Sequence, residues 1–154
     1  QAKDVTSLLS SGIDVLVIVP HDAAAMAASV DKARAANVPV ISYDRLITNS
    51  DVTLYLSFDN EKVGEEQAKY LVSKLPGGKG KIARIYGSPT DNNARLFKAG
   101  QDRVIQPLVD SGAVTVVHED WAQDWKPERN VEIVVSSGAG GAADRSARVI
   151  QTGR

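Results

Sequence analysis

Short apolar runs alternate along this chain with longer segments of helical periodicity, and this alternation constrains the fold more than any other feature. Such alternation predicts βαβ units, and therefore an α/β fold with parallel sheets. The first run is almost continuously apolar, which predicts a strand buried on both faces. The predicted strands are residues 13–19, 38–42, 52–58, 82–86, 114–118 and 131–135. The predicted helices are residues 4–10, 23–36, 59–75 and 91–111, with Asp22, Asp59 and Asp91 or Asn92 available as N-terminal caps.

Composition excludes several classes of function. The 154 residues are enough for one hydrophobic core, and the net charge of −1 without a basic stripe argues against nucleic-acid binding. The chain has no cysteine and only two histidines, so we expect no thiolate or histidine metal site and no bound cofactor. It contains no apolar run long enough to cross a membrane.

Two polar clusters follow apolar runs, at the positions where an open α/β sheet binds small molecules. Asp44 and Arg45 follow the second predicted strand, and Asp91, Asn92 and Asn93 follow the fourth. Carboxylates accept hydrogen bonds from hydroxyl groups, and guanidinium and amide groups donate them, so the clusters indicate hydroxyl recognition. The alternatives are a solvated ion pair on a turn for the first cluster and simple helix capping for the second.

Three further features have both a functional and a plain structural interpretation. Trp121 and Trp125 follow the fifth predicted strand, where an indole can stack on a sugar or fill a core or lid. The loop 138–141, with Gly140, Gly141 and Asp144, is a candidate anion-binding loop or an ordinary strand-to-helix turn. It matches neither dinucleotide nor P-loop fingerprints, and no nucleophile is paired with a base, so we expect no enzymatic activity.

Consecutive blocks of the sequence resemble the periplasmic D-xylose-binding proteins of bacterial ABC importers, over about residues 1–128. The blocks read YDRLI, then SFDNEKVGEEQAK, then GSPTDNNARLFKAGQ, then WAQDWKPE. The resemblance implies a type I periplasmic-binding-protein fold similar to ribose-binding protein, in which two Rossmann-like lobes close around a sugar. It implies a partial first lobe at residues 1–58 and a partial second lobe at residues 59–128, with a hinge crossing near Phe58 and Asp59.

The resemblance also implies a site and partners. Asp44 and Arg45 would bind sugar hydroxyls from the first lobe, Asp91 and Asn93 from the second, and Trp125 would stack on the sugar or form a wall beside it. The ligand would be D-xylose or a related aldopentose, and the partner of the parent protein an ABC transporter permease. We expect a monomer in the periplasm, or an extracytoplasmic, membrane-anchored form in a Gram-positive parent.

Residues from about 126 to 154 depart from this pattern and resemble the start of a tripartite tricarboxylate transporter receptor. We therefore expect residues 129–154 to be an atypical tail or a junction with another binding protein. We expect the chain to be a truncated part of a parent that carries a signal peptide and further sugar ligands. We expect such a fragment to bind sugar weakly or not at all. The alternatives are a sugar-sensing effector domain of a transcription regulator or chemosensor, and a nucleotide-dependent enzyme.

Overall fold

Five short strands form two parallel sheets in the computed structural model of the protein, which describes residues 1–126. Helices alternate with the strands, so the predicted α/β class is confirmed. The strands are β1 (Leu16–Ile18), β2 (Val40–Tyr43), β3 (Leu54–Leu56), β4 (Gly80–Tyr86) and β5 (Val114–Trp121). The helices are α1 (Ala2–Ser10), α2 (Ala27–Ala35), α3 (Asn60–Lys74) and α4 (Asn92–Asp110). The predicted strand 131–135 and the candidate anion loop with Gly140, Gly141 and Asp144 lie outside the described residues.

The first sheet has the order β1-β2-β3, and all of its strands are parallel. Leu16 lies opposite Val40, and Ile41 lies opposite Leu54. Helices α1 and α2 cover one face of this sheet. The apolar side of each helix packs against the strand side chains that point to that face, which are every second residue. The resulting core consists of Val5, Leu16, Ile18, Met26, Val30, Ala33, Val38, Val40 and Ile47.

The prediction that residues 13–19 form a strand buried on both faces is wrong. Val17 is 60% exposed, and Val15 and Val19 are also exposed, whereas Leu16 and Ile18 are buried. The strand itself is limited to Leu16–Ile18. A helix layer packs on one side of this sheet in the described part of the chain, so side chains that alternate to the other side stay accessible.

Helix α2 begins later than the predicted start at residue 23. The Asp22 carboxylate accepts hydrogen bonds from the backbone N–H groups of Ala24 and Ala25, at 3.0 and 2.8 Å. Asp22 therefore caps the turn at residues 23–26, which precedes the helix, and not the helix itself. Asp59 caps α3 as predicted, since its carboxylate accepts from the backbone N–H of Lys62.

The second sheet consists of β4 and β5, which pair in parallel from Gly80–Val114 to Tyr86–Trp121 with one irregularity after Ile82. Strand β5 extends beyond the predicted end at residue 118, to Trp121. Helices α3 and α4 pack against each other beside this sheet. Its core contains Ala68, Ile82, Ile105 and Val114.

Candidate functional site

Asp44 and Arg45 stand in the loop that begins where β2 ends, as the sequence predicted. Asp44 has the left-handed φ of 63°, a conformation that Asp tolerates better than most residues. The loop is held by the buried Ser42, whose hydroxyl donates to the Arg45 carbonyl at 2.5 Å and accepts from the Ile47 N–H at 3.1 Å. The chain turn and this serine together direct Arg45 towards the second sheet.

Asp91 follows β4 and forms the N-terminal cap of α4. One carboxylate oxygen accepts from the backbone N–H of Asn93 at 2.9 Å. The other lies 3.1 Å from Arg45 Nε and 3.2 Å from Trp125 Nε1. Asp91 is only 2% exposed, and such a buried carboxylate needs these donors and the positive charge of Arg45 to compensate for its lost hydration.

Asn93 makes a further contact between the loops that follow the two sheets. Its Nδ2 lies 3.0 Å from the backbone carbonyl oxygen of Asp44 and 3.4 Å from the Asp44 carboxylate. Its Oδ1 accepts from Nδ2 of Asn60 at 3.1 Å. The first turn of α4 thus meets the loop after β2 through the Asn93 amide as well as through the ion pair.

Trp125 closes one side of the cluster. Its indole N–H donates to Asp91, and the guanidinium carbon of Arg45 lies 5.7 Å from its ring centroid, within the range of a cation–π contact. Trp125 as a whole remains 44% exposed. Its edge lies over Gly87, where a Cβ would be 2.2 Å from Trp125 Cη2.

The structure brings all the predicted sugar-site residues of the described chain into one cluster between the two sheets. We call this the cross-sheet cluster, and its members are Asp44, Arg45, Asp91, Asn93 and Trp125. Trp121 is not a member, because it packs on Tyr86 with the ring centroids 4.8 Å apart. At Asp91 one oxygen caps α4, as the plain structural interpretation predicted, and the other faces Arg45 and Trp125.

An open depression of about 480 Å³ lies next to Asp44, at the carboxyl ends of the first sheet. This volume falls in the range of small-molecule sites. Its lining combines apolar side chains with polar groups, a surface suited to a ring that carries hydroxyls. The lining residues are Val19, Tyr43, Asp44, Leu56, Ser57 and Phe58.

A charged network beneath Trp121 fixes the end of the second sheet. Buried Arg84 lies 2.7 Å from Asp102 and 3.0 Å from Glu119, which also accepts from the Tyr86 hydroxyl at 2.5 Å. Burial raises the pKa of Tyr86, and the hydrogen bond to Glu119 adds to the effect. The network ties β4, β5 and α4 together near the loops that carry Asp91 and Trp125.

Chemically, the cross-sheet cluster offers carboxylate, guanidinium, amide and indole groups, which match hydroxyls as acceptors and donors. Within residues 1–126 no group of three or more His, Asp or Glu side chains is arranged to hold a metal ion. None of the described helices has the length and apolar character needed to cross a membrane.

The sequence did not identify three residues that support the cluster: Ser42, Asn60 and Gly87. Ser42 and Asn60 are buried polar residues whose role depends on partners distant in sequence or on loop geometry. Gly87 is needed because the ring of Trp125, far away in sequence, occupies the space that a side chain would fill. The only sequence signal was their proximity to the predicted motifs.

Known proteins match most of this chain. Residues 1–139 match the model of the periplasmic binding protein domain. The chain is 43% identical over 134 residues to the D-xylose-binding periplasmic protein of Escherichia coli strain K12, covering 87% of this chain and 40% of the relative. It is 42% identical to the multiple sugar-binding periplasmic receptor of Rhizobium radiobacter, covering 75% of this chain and 34% of the relative.

Solved structures give the same result for the fold. A carbohydrate transporter solute binding protein from Chloroflexus aurantiacus, in complex with D-glucose, matches with a TM-score of 0.70 and 45% identity. That match covers 75% of this chain and 34% of the other. The fructose binding periplasmic domain of a hybrid two component system matches with a TM-score of 0.73 and 29% identity, covering 81% of this chain and 40% of the other.

The resemblance to D-xylose-binding proteins is confirmed over most of the chain, which spans about 40% of the length of these relatives. The predicted partial type I fold is confirmed as well. The family match continues to residue 139, into the segment that resembles a tricarboxylate receptor, and that second resemblance stays a prediction. By its sequence and its fold, the chain belongs to the periplasmic binding protein domain family.

Proposed function

We propose that the full-length protein carrying this sequence is the solute-binding component of an ABC sugar importer, with D-xylose or a related aldopentose as its ligand. The sugar binds between two lobes, which include residues 1–58 and 59–128. The observation that carries this proposal is the cross-sheet cluster, because it joins hydroxyl-matching side chains from the carboxyl ends of both sheets.

Each member of the cluster has a role in the proposed site. Once the cross-sheet contacts open to admit the sugar, Asp44 and Asp91 accept from its hydroxyls, and Arg45 and Asn93 donate to them. The ion pair with Asp91 uses Arg45 Nε, which leaves the other guanidinium N–H groups as donors. Trp125 supplies an apolar face for the sugar ring. When the lobes close, water is excluded, and each of these hydrogen bonds becomes stronger.

The relatives support the choice of ligand and the location. Two proteins named as D-xylose-binding are 43% and 42% identical to this chain, and both are named as periplasmic. We infer that this protein also works outside the cytoplasm, delivers its sugar to an ABC permease, and does so as a monomer. The sugar leaves chemically unchanged, because the cluster binds hydroxyls without a paired nucleophile and base.

A second candidate is the sugar-sensing domain of a signalling protein. The match to a fructose binding periplasmic domain of a hybrid two component system favours it. The two candidates share the sugar site and differ in the partner. Stimulation of an ABC permease ATPase in liposomes by the sugar-loaded protein supports the importer, whereas control of a fused kinase supports the sensor.

Calorimetric titration of the full-length protein tests the shared proposal. The panel contains D-xylose, L-arabinose, D-ribose, D-glucose and D-fructose, and the sugars are recovered and analysed afterwards. We expect saturable heat with D-xylose and recovery of the sugar unchanged. Absence of heat with every aldopentose, or conversion of one of them, would show that the proposal is wrong.

A further inference from the structure

We propose that Asn60 is a positioning residue, which fixes the side-chain amide of Asn93 so that its NH₂ group faces Asp44 across the cleft between the sheets. The inference rests on the proposed sugar-binding function. It adds a buried residue that acts on the site through Asn93 and does not itself reach the cleft. It follows from the burial of Asn60 and from the direction of each hydrogen bond that connects Asn60 to Asp44.

Asn60 occupies a buried position at the start of α3, where the chain passes from the first sheet to the second. It is 4% exposed. Its Nδ2 donates to Ser57 Oγ at 3.0 Å and to Asn93 Oδ1 at 3.1 Å. Both N–H bonds of this amide are therefore used, one towards the segment after β3 and one towards α4.

The backbone carbonyl of Asp44 fixes the direction of each hydrogen bond from Asp44 through Asn93 to Asn60. The backbone carbonyl of Asp44 can only accept, so the atom of Asn93 that lies 3.0 Å from it must be the nitrogen. The oxygen of Asn93 then points to Asn60, and a donor must meet it there. The NH₂ group of Asn60 is that donor.

A reversed Asn93 amide would weaken closure more than it would weaken direct sugar contact. A sugar hydroxyl both donates and accepts, so it adapts to either end of an amide. Asp44 cannot adapt, because its carbonyl and its carboxylate, 3.4 Å from Asn93 Nδ2, are both acceptors. Reversal would place oxygen against oxygen at this cross-sheet contact.

The test compares sugar affinity in four forms of the full-length protein: wild type, Asn60→Asp, Asn93→Ala, and the double variant. Aspartate matches asparagine in shape but offers only acceptors, so it favours the reversed amide of Asn93. We expect Asn60→Asp to weaken D-xylose binding about tenfold or more. In the Asn93→Ala background the same change should alter affinity by less than about twofold, because no amide remains to be reversed.

Two further variants keep the test decisive. Asn49→Asp makes the same substitution at an exposed left-handed turn position, and we expect wild-type affinity. Asn60→Ala introduces no buried charge, so it serves if Asn60→Asp does not fold. Its loss of affinity should likewise disappear in the Asn93→Ala background.

The outcomes separate this inference from the proposed function. Equal losses from the Asn60 substitutions with and without Asn93 would show a general structural role and overturn the positioning role, while sugar binding by the wild type would stand. A wild-type protein that binds no sugar of the panel would overturn both.

Discussion

Arg45 is the residue on which the cross-sheet cluster depends most, because it contacts both Asp91 and Trp125. Replacement by lysine keeps the charge but loses the planar fork that places Nε 3.1 Å from Asp91 and the guanidinium over the indole. We expect Arg45→Lys to weaken D-xylose binding about 10- to 100-fold, or roughly 1.4–2.8 kcal/mol, by calorimetry.

Arg34→Lys is the matched control, since Arg34 is exposed and lies 3.8 Å from the exposed Asp51. Exposed ion pairs contribute little, so this variant should bind like the wild type. If Arg45→Lys also binds within about twofold of the wild type, Arg45 belongs to a solvated turn and not to the site.

Gly87 leaves the space that the Trp125 ring occupies. A Cβ at this position would lie 2.2 and 2.4 Å from two ring atoms of Trp125 and 2.9 Å from the Ala94 Cβ. We expect Gly87→Ala to displace the ring and to weaken sugar binding about tenfold. In a Trp121→Phe background, which leaves Trp125 as the one tryptophan of these 154 residues, the fluorescence emission should differ between the Gly87→Ala variant and the same protein with Gly87.

Gly80→Ala is the control for that substitution, since its Cβ would meet only flexible Leu75 methyl groups, the nearer at 3.4 Å. Unchanged emission in Gly87→Ala, with wild-type affinity, would mean that Trp125 does not depend on this glycine.

The sequence predicted the polar residues of the cross-sheet cluster but not the residues that orient them. Asp44 and Arg45 follow β2 directly, and Asp91 and Asn93 follow β4 after the short segment 87–90. Strand ends are where α/β sheets place ligands. The roles of Ser42, Asn60 and Gly87 depend on neighbours in space. No pattern in one sequence connects Gly87 with the indole of Trp125.

At the scale of elements, two glycines allow α3 and α4 to approach closely. A Cβ at Gly100 would lie 1.9 Å from the Glu61 carbonyl oxygen, and one at Gly64 would lie 2.1 Å from the Phe97 carbonyl oxygen. Both contacts involve backbone, so an added methyl group must push the helices apart.

We expect Gly100→Ala to lower the free energy of unfolding of the full-length protein by about 1–3 kcal/mol, measured by chemical denaturation. The sign is informative, because alanine is the better helix former by about 1 kcal/mol and would stabilise a helix without this contact. A stabilised Gly100→Ala variant would contradict the close approach of the helices.

The order and type of the described elements followed from the sequence, whereas burial and boundaries did not. Alternation of apolar runs and helical periodicity predicted the parallel sheets correctly. We predicted that the strand in residues 13–19 is buried on both faces. A continuous apolar run does not indicate whether helices cover one face of the strand or both. The start of α2 was placed too early, because Asp22 caps a separate turn before the helix.

At the scale of the whole molecule, the described chain leaves apolar side chains accessible on the first sheet. Phe58 is 79% exposed, and Val17, Leu54 and Leu56 are each more than half exposed. Accessible apolar patches and open strand edges favour association with other chains.

We therefore expect the 154-residue chain, produced by itself, to unfold over a broad range of denaturant and to show no upward shift with D-xylose. Circular dichroism during chemical denaturation measures both properties. A sharp transition that moves upward with D-xylose would mean that these residues alone form a working binding domain.

The central claim is that side chains from two sheets bind one sugar, and a crystal structure of the full-length protein with D-xylose tests it most directly. We predict that sugar oxygens lie within hydrogen-bonding distance, about 2.5–3.2 Å, of Asp44 or Arg45 and also of Asp91 or Asn93. We also predict that the Trp125 ring lies against the sugar. A sugar bound elsewhere, or held by side chains of one sheet only, would contradict the account.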